Sequence, residues 1–76
     1  MTTRANGTKD YVLCLSNRGY DASLVVRRLY ELVPDPEAAK RGLLRVVDES
    51  GEDYLFPRDL FAVLDLPIAV RERLTT

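Results

Sequence analysis

The sequence predicts an all-β domain, a small five-stranded barrel with one short loop helix. Its 76 residues allow a single domain. Short runs rich in β-branched and aromatic residues recur along the chain, and turn-forming residues separate each run from the next. With 46% hydrophobic and 30% charged residues, the composition is typical of a folded domain rather than a disordered chain. We expect residues 1–10 to form a disordered leader and residues 11–76 to form the domain.

The first strand is predicted over Tyr11–Leu15, a continuous apolar run that turn residues bound. A polar arm over residues 16–23 follows, in which Asn, Gly and Asp favour turns. β-Branched and aromatic residues favour a second strand over Leu29–Val33, which Pro34 ends. Because the apolar spacing just before this strand also suits a helix, an α+β domain with residues 23–32 helical is the alternative.

A short loop helix is predicted next. Asp35 is a favourable cap, Pro36 suits the first helical position, and Gly42 suits the end. A hairpin then follows, because two β-rich runs, Leu43–Val47 and Tyr54–Phe56, flank the turn DESGED. The Gly of that turn supplies the positive φ that tight hairpins require.

Pro57 closes the second hairpin strand, and residues 58–60 suit one tight turn. A last strand is predicted over Phe61–Leu66. The remaining residues, 67–76, suit a helical turn that packs across one end of the barrel or, alternatively, lies in a dimer interface or a partner's groove. Its apolar side chains are Ile68, Val70 and Leu74.

This order of strand, polar arm, strand, medium loop, tight hairpin, proline turn and strand resembles SH3-like barrels, with residues 54–64 as the best local match. The resemblance implies that residues 16–23 correspond to the RT loop, residues 34–42 to the n-Src loop and residues 49–52 to the distal hairpin. The run RVVDESGEDYLFP also looks like that of small bacterial proteins with an SH3-like pattern. That group offers no function to transfer.

Peptide-binding SH3 domains grip polyproline with an aromatic floor, and there this sequence departs from the family. Only Pro57 matches directly. Leu43 or Leu44 replaces the floor Trp, Leu60 replaces a Tyr, and the chain has no Trp. We therefore do not expect polyproline binding.

The composition also limits catalysis, since the chain has no His and a single Cys. Imidazole catalysis, an intramolecular disulfide and a Cys-only metal site are excluded. We expect no enzyme activity, no catalytic residue, no cofactor and no metal. Four carboxylates crowd the hairpin turn, but they lack EF-hand spacing and suit a solvated tip or, alternatively, an acidic patch that docks a basic partner. They are Asp48, Glu49, Glu52 and Asp53.

The small core is expected to take Cys14 and most of the aromatic residues. Tyr20 lies in a polar turn, which makes it either an anchor that folds the arm inward or an exposed contact. Arg45 is expected to pair across strands with Glu31 or Asp48. The predicted core aromatics are Tyr11, Tyr54, Phe56 and Phe61.

These observations favour a protein-interaction or accessory module with an unknown protein partner. The alternative is a nucleic-acid-binding barrel, which the net charge of −1 disfavours. Without an apolar run of signal-peptide or membrane-spanning length, we expect a cytoplasmic monomer or weak homodimer that does not bind membranes. The candidate protein contacts are Tyr20, Asp21, Asp53, Pro57 and Leu60. The candidate nucleic-acid contacts are Arg27, Arg28, Lys40 and Arg41.

Overall fold

A computed structural model describes residues 9–75 of the chain. They form one five-stranded antiparallel sheet with two short helices, so the all-β prediction is confirmed. The α+β alternative is wrong, because residues 23–32 hold turns and the start of a strand. The elements are β1 (Asp10–Cys14), β2 (Leu29–Val33), α1 (Pro36–Lys40), β3 (Leu43–Val47), β4 (Asp53–Pro57), a 3₁₀ turn (Arg58–Leu60), β5 (Phe61–Val63) and α2 (Ile68–Thr75).

Most of the predicted leader lies outside the described residues. At its end, Asp10 already belongs to β1 and pairs with Leu32 of β2. Lys9 lies 3.4 Å from Glu31 in a salt bridge. β1 therefore begins one residue before the predicted boundary at Tyr11.

The sheet is curved, as its strand order β4-β3-β2-β1-β5 requires. β4 and β5 lie at opposite edges, yet only the 3₁₀ turn connects them. Four residue steps span at most about 14 Å, whereas the edges of a flat five-stranded sheet are about 19 Å apart. The curvature brings the rings of Phe56 and Phe61 together, with centroids 6.1 Å apart.

One hydrophobic core lies inside this curve. Alternation along β1 places Val12 and Cys14 on the inner face, and burial raises the pKa of the Cys14 thiol. Tyr30 is buried there, whereas Tyr54, which we expected in the core, is 48% exposed. The core comprises Val12, Cys14, Leu24, Tyr30, Leu44, Val46, Phe56, Leu60 and Phe61.

The loop helix α1 forms as predicted from its capping residues. The Asp35 carboxylate accepts a hydrogen bond from the Ala38 N–H at 3.1 Å, and Pro36 occupies the first turn. Arg45 donates to Asp35 at 2.8 Å and to Asp53 at 3.2 Å, not to Glu31 or Asp48 as expected. The Ala38 amide and then the Arg45 guanidinium lower the pKa of Asp35.

The C-terminal part departs most from the prediction. β5 ends at Val63, three residues early, and the apolar side chains of α2 stay partly exposed rather than buried against the sheet. Arg71 donates to the Asp10 carboxylate at 2.8 Å and so connects α2 to β1. Neither helix of residues 9–75 has the length and apolar character that crossing a bilayer demands. The exposed fractions are 47% for Ile68, 42% for Val70 and 41% for Leu74.

Candidate functional site

A concave surface lies between the end of the β3–β4 hairpin and the connection from β1 to β2. We call that connection, residues 15–28, the arm, and the concave surface the arm groove. The arm groove has a volume of about 420 Å³, within the roughly 300–1,000 Å³ range of ligand pockets. Its lining residues are Tyr20, Ser23, Asp48, Ser50, Tyr54, Leu55 and Phe56.

Local hydrogen bonds give the arm a fixed shape. The Tyr20 N–H donates to the Asn17 carbonyl at 2.8 Å, and the Leu24 N–H donates to the Tyr20 carbonyl at 2.9 Å. Leu24 is only 1% exposed and anchors the arm in the core. Tyr20 consequently packs edge-on against Phe56, with ring centroids 5.2 Å apart, while 36% of its surface stays exposed. Tyr20 thus anchors the arm and also keeps part of its ring exposed.

The hairpin turn has a fixed shape of its own. The buried Asp48 carboxylate accepts hydrogen bonds from the Ser50 N–H at 2.8 Å and from the Ser50 hydroxyl at 2.6 Å. Gly51 takes the positive φ of +87° that the turn needs, as predicted. Asp48 therefore shapes the turn that forms one end of the arm groove.

A set of polar contacts, which we call the Glu49 network, joins the hairpin to the arm. The Glu49 N–H donates to the Ser23 carbonyl at 3.0 Å. The Glu49 carboxylate accepts from the Tyr30 hydroxyl at 2.5 Å and from Arg28 at 2.9 Å. The Tyr30 oxygen also accepts from the Val25 N–H at 2.7 Å. These contacts hold the two walls of the arm groove together.

The Glu49 network shifts the pKa of both of its central residues. Burial and then the hydrogen bond to Glu49 raise the pKa of Tyr30 to about 12. The Tyr30 hydroxyl and then Arg28 lower the pKa of Glu49. Tyr30 is thus held as the neutral donor and Glu49 as the charged acceptor.

A smaller recess adjoins the arm groove on the other side of Tyr20. This Pro57 recess has a volume of about 260 Å³. Hydrogen bonds from the Leu15 and Ser16 amides to the Leu60 carbonyl, at 2.7 and 3.2 Å, hold the arm against the 3₁₀ turn. The recess is lined by Ser16, Arg18, Tyr20, Pro57, Asp59 and Leu60.

Three of the five predicted protein contacts come together in the Pro57 recess. Tyr20 and Pro57 line it with accessible surface, whereas Leu60 is 8% exposed and belongs mainly to the core. Asp21 is exposed on the arm and lines neither concavity. Asp53 lies outside both and pairs with Arg45.

Sequence reasoning did not identify two exposed groove residues, Tyr54 and Leu55. Tyr54 alternates with Phe56 along β4, so the pattern predicts that both rings face the core. The arm sets the boundary of the core, and its position depends on Leu24 and the Glu49 network. Tyr54 lies outside that boundary, which the sequence pattern of β4 alone does not reveal.

The four candidate nucleic-acid contacts fall in two segments, the end of the arm and the end of α1. Arg28 pairs with Glu49 at 2.9 Å, and Lys40 pairs with Glu37 at 3.5 Å. Arg27 has a positive φ of 70°, and its N–H donates to the Cys14 carbonyl. Arg41 is exposed and is the C-cap residue of α1.

Within residues 9–75 no group of three or more His, Cys, Asp or Glu side chains is arranged to hold a metal ion. Comparison of the chain with protein-family models, curated proteins and solved structures found no match. Any functional proposal therefore depends on the geometry of the arm groove.

Proposed function

We propose that the protein is a non-enzymatic interaction module that binds a short segment of a partner protein in the arm groove. The observation that carries the proposal is a preformed groove with exposed aromatic and aliphatic walls. Tyr54 is 48% exposed, Leu55 39% and Tyr20 36%. Tyrosines at the centre of a concave surface are typical of interfaces, because they supply large contact area at low entropic cost.

The charges around the arm groove support a partner segment with a basic residue. Arg28 and Arg45 neutralise two of the hairpin carboxylates, Glu49 and Asp53. Of the other two, Asp48 is buried and bonded to Ser50, and Glu52 is exposed with no cationic partner within 4.0 Å in the described part of the chain. Complementary charge would raise both association rate and specificity.

An SH3-like interpretation of the fold, and action in the cytoplasm, belong to this proposal. The strand order, the hairpin and the 3₁₀ turn after Pro57 support the SH3-like interpretation. The arm groove lies beside the hairpin end and has no Trp, so the proposed ligand is not a polyproline helix.

Nucleic-acid binding, the alternative, has less support. Arg28 and Lys40 are already paired with carboxylates, and the other two candidate cations lie in separate segments. A mobility-shift assay with single-stranded DNA and RNA at low salt tests it directly, and a salt-dependent shift would favour it.

The test is partner capture from cells that naturally express the protein, using the wild type and three variants. Tyr20→Ala and Tyr54→Ala remove the groove walls. Val63→Ala is the control, because Val63 is 51% exposed and lies on β5, away from the groove. We expect one set of proteins, quantified by mass spectrometry, to be lost from both groove variants and kept by the control.

Circular dichroism and thermal melting establish that all four proteins are folded. If the groove variants capture the same proteins in the same amounts as the control, the interface lies elsewhere and the proposal is wrong.

A further inference from the structure

The arm groove runs along the open edge of the sheet. β4 is the first strand in the sheet order, so one side of its backbone faces away from β3. Tyr54, Leu55 and Phe56 all line the groove. Because successive side chains of a strand point to opposite faces, a groove that contacts three consecutive residues lies along the strand's edge.

Two backbone hydrogen bonds set the phase of the β3–β4 ladder. At one end the Asp48 N–H donates to the Glu52 carbonyl, and at the other the Arg58 N–H donates to the Gly42 carbonyl, both at 3.0 Å. In an antiparallel ladder, hydrogen-bonded and non-hydrogen-bonded pairs alternate. The even-numbered residues from 52 to 58 therefore direct their backbone polar groups toward β3.

The odd-numbered residues of β4 direct their N–H and C=O groups outward, along the arm groove. Pro57 agrees with this phase, since proline lacks the N–H that an inward position would need. Asp53 and Leu55 keep both groups, and no strand of the described residues pairs with them on this side. Such an edge is a ready template for another extended chain.

We propose that the arm groove binds its partner by β-strand addition. An extended segment pairs with the outward backbone groups of Asp53 and Leu55, while one of its side chains enters the groove between Tyr20 and Tyr54. Backbone pairing supplies affinity, and the groove supplies specificity at alternate positions. This inference rests on the proposed interaction function and names the chemistry of its ligand: an extended, β-forming peptide with a Lys or Arg near the hairpin.

A peptide fits this edge better than a second copy of the chain. The arm flanks β4 at both ends of the groove, through the Tyr20–Phe56 ring contact and the Ser23–Glu49 hydrogen bond. The arm of a second copy would flank its own β4 in the same way. If the two β4 edges paired, the two arms would therefore stand against each other. A basic peptide also complements the carboxylates of the hairpin.

The test separates the backbone of Leu55 from its side chain. Leu55→Pro removes one outward N–H and leaves the β3 ladder intact, since that N–H does not point toward β3. Leu55→Ala removes most of the side chain and keeps the N–H. The probe is a phage library of random 12-residue peptides selected on the wild-type protein, followed by synthetic copies of the selected peptides.

We expect Leu55→Pro to weaken binding of the selected peptides at least about tenfold, and Leu55→Ala less than about threefold. Methylating alternate backbone nitrogens of a selected peptide provides a second measurement if Leu55→Pro does not fold. Two such peptides are made, one methylated at the odd-numbered and one at the even-numbered backbone nitrogens. Only one of them is expected to lose binding, because a strand pairs with its neighbour through alternate residues.

Tyr20→Ala distinguishes failure of this inference from failure of the proposed function. Suppose that peptide binding is lost in Tyr20→Ala but is kept in Leu55→Pro and with either set of backbone nitrogens methylated. That result overturns strand addition and leaves the groove as the interface. Selection of no peptide, or binding that is independent of Tyr20, overturns both proposals. A wild-type dimer in sedimentation that Leu55→Pro dissociates would overturn the peptide in favour of a second copy.

Discussion

The hairpin end and the C-terminal helix α2 both lie at the periphery of the sheet, and the chain holds them in different ways. The hairpin end is joined to the arm through the Glu49 network, in which Tyr30 reaches out of the core. The helix α2 is connected to β1 by the ion pair of Arg71 with Asp10, while its apolar side chains remain about half exposed.

The hairpin end and the arm combine a buried apolar anchor, Leu24, with the polar Glu49 network, whereas the apolar side chains of α2 stay partly exposed. Glu49 has one favourable arrangement, because its carboxylate accepts from Tyr30 and Arg28 while its N–H donates to the Ser23 carbonyl. An apolar side chain on the surface has many. The arm groove is therefore preorganised.

The largest expected effect comes from removing the apolar anchor under the groove. Leu24→Ala empties a site that is 1% exposed and should lower the free energy of unfolding by about 2–5 kcal/mol. Its neighbour Val25, 41% exposed, provides the control, and Val25→Ala should change stability by about 0.5 kcal/mol or less. Urea denaturation measures both. Equal effects would show that the arm is not anchored in the core.

The next effect isolates the polar part of the hairpin attachment. Tyr30→Phe removes one hydroxyl, which leaves the Val25 N–H without its acceptor and Glu49 without one donor. We expect a loss of about 1–3 kcal/mol in urea denaturation. Tyr54→Phe is the matched control, since the Tyr54 hydroxyl bonds Glu52 on the surface, and it should cost about 0.5 kcal/mol or less. Similar costs would mean that the Glu49 network contributes no more than a surface contact.

Alkaline pH tests the same hydroxyl without removing it. The folded protein raises the pKa of Tyr30 to about 12, against about 10 in the unfolded chain. The folded state then binds this proton more tightly, so the contribution of Tyr30 is complete below pH ~10 and is lost as pH rises toward ~12. The stability difference between wild type and Tyr30→Phe, measured by urea midpoints, should shrink across that interval. A constant difference would contradict the raised pKa.

The elements that sequence predicts well are those whose chemistry is local. Asp35, Pro36 and Gly42 define α1 through capping rules, and Gly51 defines the hairpin turn. Each of these residues acts within about four positions along the chain. Their structural outcome therefore needs no knowledge of the tertiary fold.

The site depends on contacts that are distant in sequence, and there prediction from sequence was incomplete. Alternation cannot tell that Tyr30 is buried and Tyr54 exposed, because the arm decides where the core ends. Arg45 binds Asp35 because α1 packs against β3. The prediction considered only partners on neighbouring strands and so did not include Asp35. Two of the predicted contacts, Tyr20 and Pro57, lie together in the Pro57 recess because loop residues converge where strands end.

The smallest expected effect concerns the attachment of α2 to β1. Arg71→Gln removes the charge that pairs with Asp10 at 2.8 Å, and it should lower the free energy of global unfolding by less than about 1 kcal/mol. Amide exchange in α2 should nevertheless accelerate, because a peripheral helix opens locally without unfolding the sheet. Exchange in β1 and β3 should keep its wild-type rate. If the sheet amides accelerate together with α2, the helix is a cooperative part of the fold, and polar contacts hold both ends of the molecule equally.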